Sequence, residues 1–287
     1  MSLCLRGRPL GISRGRAPRP HRLDGPGARL AAEFGRLSLG IKLSHRQAIQ
    51  EEEIFEGMRC QRDMKTECLL AWQRYFQRDP IDELDEIDER GYFVQVGPPG
   101  VPLAREFRSA NHAMAEAFEG MRQQFSVENR TYETQLQKEL SGFADGLQRC
   151  WSDWEFRSRA GQLTAGDVLA MIGPGLYERY WTTLRNKPVG RAGLLSFFRS
   201  PFFTDLPMNK ISSQLFADLL TGNEPVRHGD PMDVHLLSVA IPVAHFVLTD
   251  KRMERRVVRR AIDKDFDTKV FSMKTLDVLL AELEALM

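Results

Sequence analysis

Gly229-Asp230-Pro231-Met232-Asp233-Val234-His235-Leu236-Leu237-Ser238-Val239-Ala240-Ile241-Pro242-Val243-Ala244-His245-Phe246-Val247-Leu248-Thr249-Asp250-Lys251 is the stretch on which the fold class turns. Asp230, Pro231 and Asp233 have the chemistry of a helix start: a short acceptor side chain, a proline in the first turn, and an acid facing the positive end of the helix dipole. Pro242 stops that helix, and Phe246 to Thr249 then reads as a buried strand ending at Asp250. Working outward, the pattern continues. A helix over 231–240, a strand over 244–249, a helix over 251–261, a strand over 268–272 and a helix over 274–286 alternate in the manner of an α/β parallel sheet with crossover helices. In such sheets ligands bind beyond the carboxyl ends of the strands, where the following helices also begin. The alternation therefore predicts that Asp230, Asp233 and Asp250 converge, with carboxylates roughly 4 to 8 Å apart.

A carboxylate cluster at such an edge is what a hard cation requires. Mg²⁺ or Mn²⁺ held by Asp230, Asp233 and Asp250 suits phosphodiester cleavage by activated water, with Asp233 and Asp250 as the catalytic pair. Glu51, Glu52, Glu53 and Glu56 supply candidates for a fourth acid, chiefly Glu53 or Glu56, although a charge run there equally fits a solvated face. Each aspartate also has a plainer reading: Asp230 and Asp250 are well placed to cap helices. On the helix after Asp250, Lys251, Arg255 and Arg259 fall on one stripe and Arg252, Arg256 and Arg260 on its neighbour. A cationic ridge beginning beside the acids could follow a nucleic-acid backbone, with Lys251, Arg252, Arg255 and Arg256 as phosphate contacts and Thr249 beside them. The competing reading is a solvated helix face.

Composition sets the frame. The 287-residue chain is 42% hydrophobic and 28% charged, with a net charge of +1, and no apolar run approaches the ~20 residues of a membrane span. Four cysteines, Cys4, Cys60, Cys68 and Cys150, lack zinc-site spacing and the density of a disulfide scaffold, which points to reduced thiols and a cytoplasmic setting. His45, His112, His228, His235 and His245 are scattered, so zinc chemistry is not indicated. No phosphate-binding loop and no serine-hydrolase elbow is present.

Residues 1–40 form an Arg/Pro/Gly-rich leader expected to be disordered, with a make-up that also fits an organelle transit peptide. Residues 41–287 form the folded part. A long helix is expected from about 45 to 78, started by Ser44-His45-Arg46-Gln47, then a short acidic helix from Asp79 to Gly91 and a strand over Tyr92 to Val96. A helical hairpin over about 104–160, breaking near Ser126, reads as an insertion. Thr164-Ala165-Gly166-Asp167 opens a further helix that Gly173-Pro174-Gly175 interrupts, and 209–220 is helical. Trp151, Trp154, Trp181, Phe156, Tyr177 and Tyr180 read as core aromatics rather than a stacking platform.

The C-terminal third resembles the PIN-like nuclease domains. The resemblance is carried by Gly229-Asp230-Pro231-Met232-Asp233, Ala240-Ile241-Pro242, Phe246-Val247-Leu248-Thr249-Asp250 and Lys269-Val270-Phe271. It implies a PIN-like parallel sheet core, made helix-rich by the long middle segment, and a metal-dependent ribonuclease acting on RNA. The family's first strand, which ends in an aspartate, has no counterpart here, since residues 1 to 43 offer only Asp24. Two accounts follow. An upstream strand has been lost through a late or misassigned start, or the chain is a degenerate nuclease fold serving as an interaction protein, with an inhibitory protein partner or self-association.

Overall fold

The computed structural model describes residues 41–43, 46–65, 70, 72–78 and 103–284. The leader, the acidic segment from Asp79 and the strand expected over Tyr92 to Val96 lie outside the described residues. The remainder, from Lys42 onward, clusters as a compact unit.

A short strand, β1 (Ile41–Leu43), leads into α1 (Arg46–Asp63). The long helix expected to reach residue 78 stops early: Met64 takes a left-handed backbone with φ 51°, which ends an α-helix because the next carbonyls lose their partners. A 3₁₀ turn over Trp72–Tyr75 and β2 (Phe76–Arg78) follow, and β2 pairs with β1. The hairpin is α2 (Leu103–Val127) and α3 (Tyr132–Arg159). Thr131 caps α3 by accepting from the Thr134 amide at 3.2 Å. Next come α4 (Ala165–Ala170), α5 (Ile172–Thr183), α6 (Gly190–Phe198), α7 (Pro201–Thr204) and α8 (Pro207–Thr221). Thr164 and Asp167 form the expected capping box at α4. The break falls at Met171, however, and α5 runs through Gly173-Pro174-Gly175. Pro174 lies in the first turn of α5, where its missing N–H costs nothing.

The last third matches its sequence pattern closely: α9 (Asp230–Ala240), β3 (Phe246–Leu248), α10 (Lys251–Arg259), α11 (Ile262–Asp265), β4 (Lys269–Phe271) and α12 (Leu276–Glu284). β3 and β4 run parallel, with Phe246 opposite Lys269 and Leu248 opposite Phe271. The link through α10 and α11 is the helical crossover that parallel pairing demands. Architecturally the described residues are helix-rich, with a parallel sheet of two strands. No helix among them is long and apolar enough to cross a membrane.

Helix α8 organises the packing. Ten of its fifteen residues are buried, from Pro207 and Met208 to Leu219 and Leu220, as expected for a helix covered on nearly every side. One apolar cluster joins Ile54 and Met58 of α1 to Ala144, Leu147 and Trp151 of α3 and to Trp181, Phe197, Phe198 and Phe203. A second joins Ile211, Leu215 and Leu219 of α8 to Val234, Leu237, Val247, Met253 and Val257. The hairpin is part of the packed core: α3 packs along α8 and supplies core side chains. Trp151 and Trp181 are core residues, as their spacing suggested, whereas Phe156 is 71% exposed. Close approach depends on glycine at position 193, where a Cβ would stand 1.6 Å from the Pro188 carbonyl oxygen. That oxygen accepts the Trp181 indole N–H at 3.0 Å.

Candidate functional site

Two helix starts meet beyond the carboxyl end of β3. Asp250 follows the strand at one residue's remove and caps α10, its Oδ1 accepting from the Arg252 amide at 2.6 Å and the Met253 amide at 3.1 Å. At the start of α9 the cap is Gly229 rather than Asp230. Asp230 is the first helical residue, buried, and its Oδ2 accepts from the Arg227 amide at 2.9 Å. Asp233, one turn on, is half-buried. The Asp233 carboxyl is pushed up to about 6, first by burial, then by the charges of Asp250 and Asp230, and by a hydrogen bond with Asp250. Asp233 lies within hydrogen-bonding reach of Asp250 and within electrostatic range of Asp230.

The three acids are not equivalent. Asp230 has a cation beside it, with Arg252 Nη1 at 3.4 Å, whereas the Asp233–Asp250 pair has an excess of negative charge. That excess is what raises a carboxyl of a like-charged pair. Among the described residues no group of three or more His, Cys, Asp and Glu side chains forms a ready cation site, in keeping with the engagement of Asp230 by Arg227 and Arg252. Neither proposed fourth acid completes the set. Glu53 is buried elsewhere, accepting from the Tyr75 hydroxyl at 2.7 Å and the Met208 amide at 3.1 Å, and Glu56 pairs with Arg59.

The expected cationic ridge divides into an exposed row and a buried one. Lys251 and Arg255 face solvent. The Lys251 ammonium is held below its ordinary value by a hydrogen bond with Lys274 and by that neighbour's charge. Arg252 and Arg256 do not face solvent, and this corrects their reading as phosphate contacts. Arg252 Nε donates to Glu224 at 2.8 Å and Nη2 to the Pro225 carbonyl at 2.7 Å. Arg256, 3% exposed, donates through Nη1 to Asp218 Oδ2 at 2.7 Å. The physical reason is the narrow apolar face of α10: Met253 and Val257 enter the core, so the residues immediately before each are drawn in beside them and need carboxylate partners.

Asp218 is the residue that sequence reading passed over. It is 1% exposed and holds three guanidiniums, those of Arg256, Arg259 and Arg260. Burial alone pushes its carboxyl up, but hydrogen bonds from Arg259 and Arg260 and the nearby positive charges bring it below the ordinary range. The signal was available: Leu215-Phe216-Ala217-Asp218-Leu219-Leu220 places a lone acid in an otherwise apolar run, and a buried acid needs a cation.

The chain matches no family model, and neither the curated proteins nor the solved structures include a match.

Proposed function

We propose that the protein is a metal-dependent ribonuclease built on a PIN-like α/β core, with Asp233 and Asp250 as its central acids. The observation that carries this reading is the meeting of Asp233, in the first turn of α9, with Asp250, the cap of α10, beyond the carboxyl end of β3. Two carboxylates forced together at the carboxyl end of a parallel strand, without a cation of the protein's own between them, suit a hard divalent ion. Asp233 and Asp250 would hold Mg²⁺ or Mn²⁺, with Asp230 as a neighbouring acid oriented by Arg227 and Arg252. When bound, such an ion polarises a phosphoryl oxygen and makes water a better nucleophile. The chain's own contribution is placement. The cap at Asp250 fixes one carboxylate against the backbone of α10, and the first turn of α9 fixes the other. Lys251, exposed beside Asp250, is positioned to offset charge on an approaching phosphate.

The test is a titration of the intact chain with Mn²⁺ and with Mg²⁺ at pH 8, read as thermal stabilisation and as cleavage of a labelled single-stranded RNA. Thermal stabilisation by either ion is expected in the parent, with at most slow, chelator-sensitive cleavage because the family's first-strand carboxylate has no counterpart, and both should be lost in Asp233→Asn and Asp250→Asn. Asparagine still caps a helix, so the second variant removes charge while keeping the fold. A parent protein indifferent to both ions and inert towards RNA would overturn the reading. A non-catalytic interaction protein is the second reading. It is favoured by the exposure of Val278, Leu280 and Leu283 on α12, at 54%, 48% and 41%. A concentration-dependent change in molecular mass, abolished by polar substitutions at those three positions, would support it.

A further inference from the structure

The one carboxylate of Asp218 faces three guanidiniums, and this imbalance opens onto a cavity. A recess of about 300 Å³ lies over Asp218, lined by Arg130, Tyr132, Asn223, Arg259 and Arg260. A smaller one of about 60 Å³ adjoins it between Asn223, Glu224, Arg255 and Arg259. Arg130 reaches the site with its guanidinium 3.6 Å from the Phe125 ring centroid and donates to Gln135 Oε1 at 3.0 Å. Arg260 lies 3.4 Å from the Tyr132 ring centroid, so it is held by stacking as well as by Asp218. Glu128 accompanies Arg130, and Glu224 is shared by Arg252 and Arg255.

The acids here are too few for the cations. Arg130, Arg252, Arg255, Arg256, Arg259 and Arg260 face Glu128, Asp218, Glu224 and Asp230. Arg252 Nη1 and Arg256 Nε are buried without a hydrogen-bond acceptor. Folding has concentrated guanidiniums beyond what the fold's own carboxylates satisfy, and has fixed several of them by stacking and ion pairing. Arginines pre-oriented in this way favour planar, multidentate contact with phosphate. Arg255 and Arg259, 55% and 56% exposed, stand one helical turn apart, about 5 to 6 Å. Their row starts beside Asp250 and ends at the larger recess.

We propose that this arginine-lined recess binds backbone phosphates of a single-stranded RNA that continues along Arg255 to the Asp233–Asp250 pair. The RNA identity rests on the nuclease reading; the phosphate chemistry rests on the recess itself. The cavity's size admits a phosphate with its sugar, and it is too small for a duplex. Tyr132 and Asn223 at its wall add a ring and an amide beside the cations.

The test separates binding from cleavage by working in chelator. Fluorescence anisotropy of an end-labelled single-stranded oligoribonucleotide is measured over a series of salt concentrations. Arg130→Gln with Arg259→Gln, and Arg255→Gln with Arg259→Gln, are compared with the parent chain. Arg179→Gln, an exposed cation of α5 in the other cluster, serves as the charge control, and melting curves establish that each variant is folded. The double variants should bind at least about fivefold more weakly, with a salt slope shallower by ~0.7 for each phosphate contact removed. Arg179→Gln should bind like the parent. Parent-like binding by both double variants, an equal loss in Arg179→Gln, or no RNA binding by the parent overturns the proposal. Selective loss of binding in the double variants, together with a parent that does not cleave when Mn²⁺ is supplied, upholds the recess and removes the nuclease reading alone.

Discussion

Asp233→Asn should stabilise the protein at pH 8 and leave it unchanged at pH 4. In the folded protein the Asp233 carboxyl is raised from 3.8 to about 6, by burial first and then by Asp250 and Asp230. A carboxyl raised by folding binds its proton more tightly in the native state. Its contribution to stability is therefore fully present below the unfolded value and is lost as the pH climbs through about 6. A shift of roughly two pH units corresponds to ~3 kcal/mol. Asp233 is only half-buried, and solvent screening reduces that figure to ~1–2 kcal/mol. For a folded unit of this size the gain translates to about 3–6 °C in melting temperature. Asparagine keeps the shape and can still donate to Asp250 while removing the charge. Melting curves for parent and variant from pH 4 to pH 8 should coincide at the acid end and separate between pH 4 and about 6.5. The variant should then be the more stable. Millimolar Mn²⁺ at pH 8 should close the gap by raising the parent alone. A variant less stable than the parent at pH 8, or a difference that does not vary with pH, would refute the electrostatic account of this pair.

Three further perturbations probe the scaffold that positions the site. Asp218→Asn should cost about 3–5 kcal/mol in denaturant unfolding, because it leaves the buried Arg256 guanidinium without its carboxylate; a neutral result would mean that the three arginines find other acceptors. Gly193→Ala should cost about 3 kcal/mol or prevent folding, since its Cβ would stand 1.6 Å from the Pro188 carbonyl oxygen. Glu53, raised from 4.5 to about 7 chiefly by burial, should lower stability as the pH rises between those values. Glu53→Gln should abolish that dependence while leaving one acceptor oxygen for the two donors Glu53 serves, the Tyr75 hydroxyl and the Met208 amide, at about 1–3 kcal/mol, which pH-resolved unfolding of the variant would measure.

What the sequence made legible was local chemistry with a fixed period. Thr164 and Asp167 announce a capping box, and Pro231 marks a first turn. The alternation from Asp230 to the final helix gives a parallel pair with a crossover. What stayed hidden depends on neighbours distant in the chain. The apolar spacing after Ile54 continues past Asp63, and only the left-handed Met64 stops the helix. The two arginine stripes of α10 look alike in sequence, and the carboxylates that receive the inward one, Glu224 and Asp218, lie more than twenty-five residues away.

The helix-cap reading of Asp250 is observed, and it is compatible with the proposed role as a cation ligand, because the backbone amides engage one oxygen of the carboxylate. Oδ1 takes both amides of the first turn of α10, which fixes the group against the backbone. Capping would therefore hold the proposed ligand rigid, at the N-terminal end of a helix whose dipole favours an ionised carboxylate. Asp230 shows the opposite outcome: its Oδ2 serves the Arg227 amide and also lies nearest Arg252, so its charge is compensated within the fold. The Asp233 carboxyl is raised first by burial and then by the charges of Asp250 and Asp230, a repulsion that an internal cation would relieve. A single substitution tests this division of labour: Arg252→Gln should free Asp230 to join the pair, raise the Asp233 carboxyl further, and tighten Mn²⁺ binding at pH 8. If Mn²⁺ affinity instead falls in a folded Arg252→Gln protein, Asp230 and Arg252 act on the pair together rather than in opposition, and the two-carboxylate description is wrong.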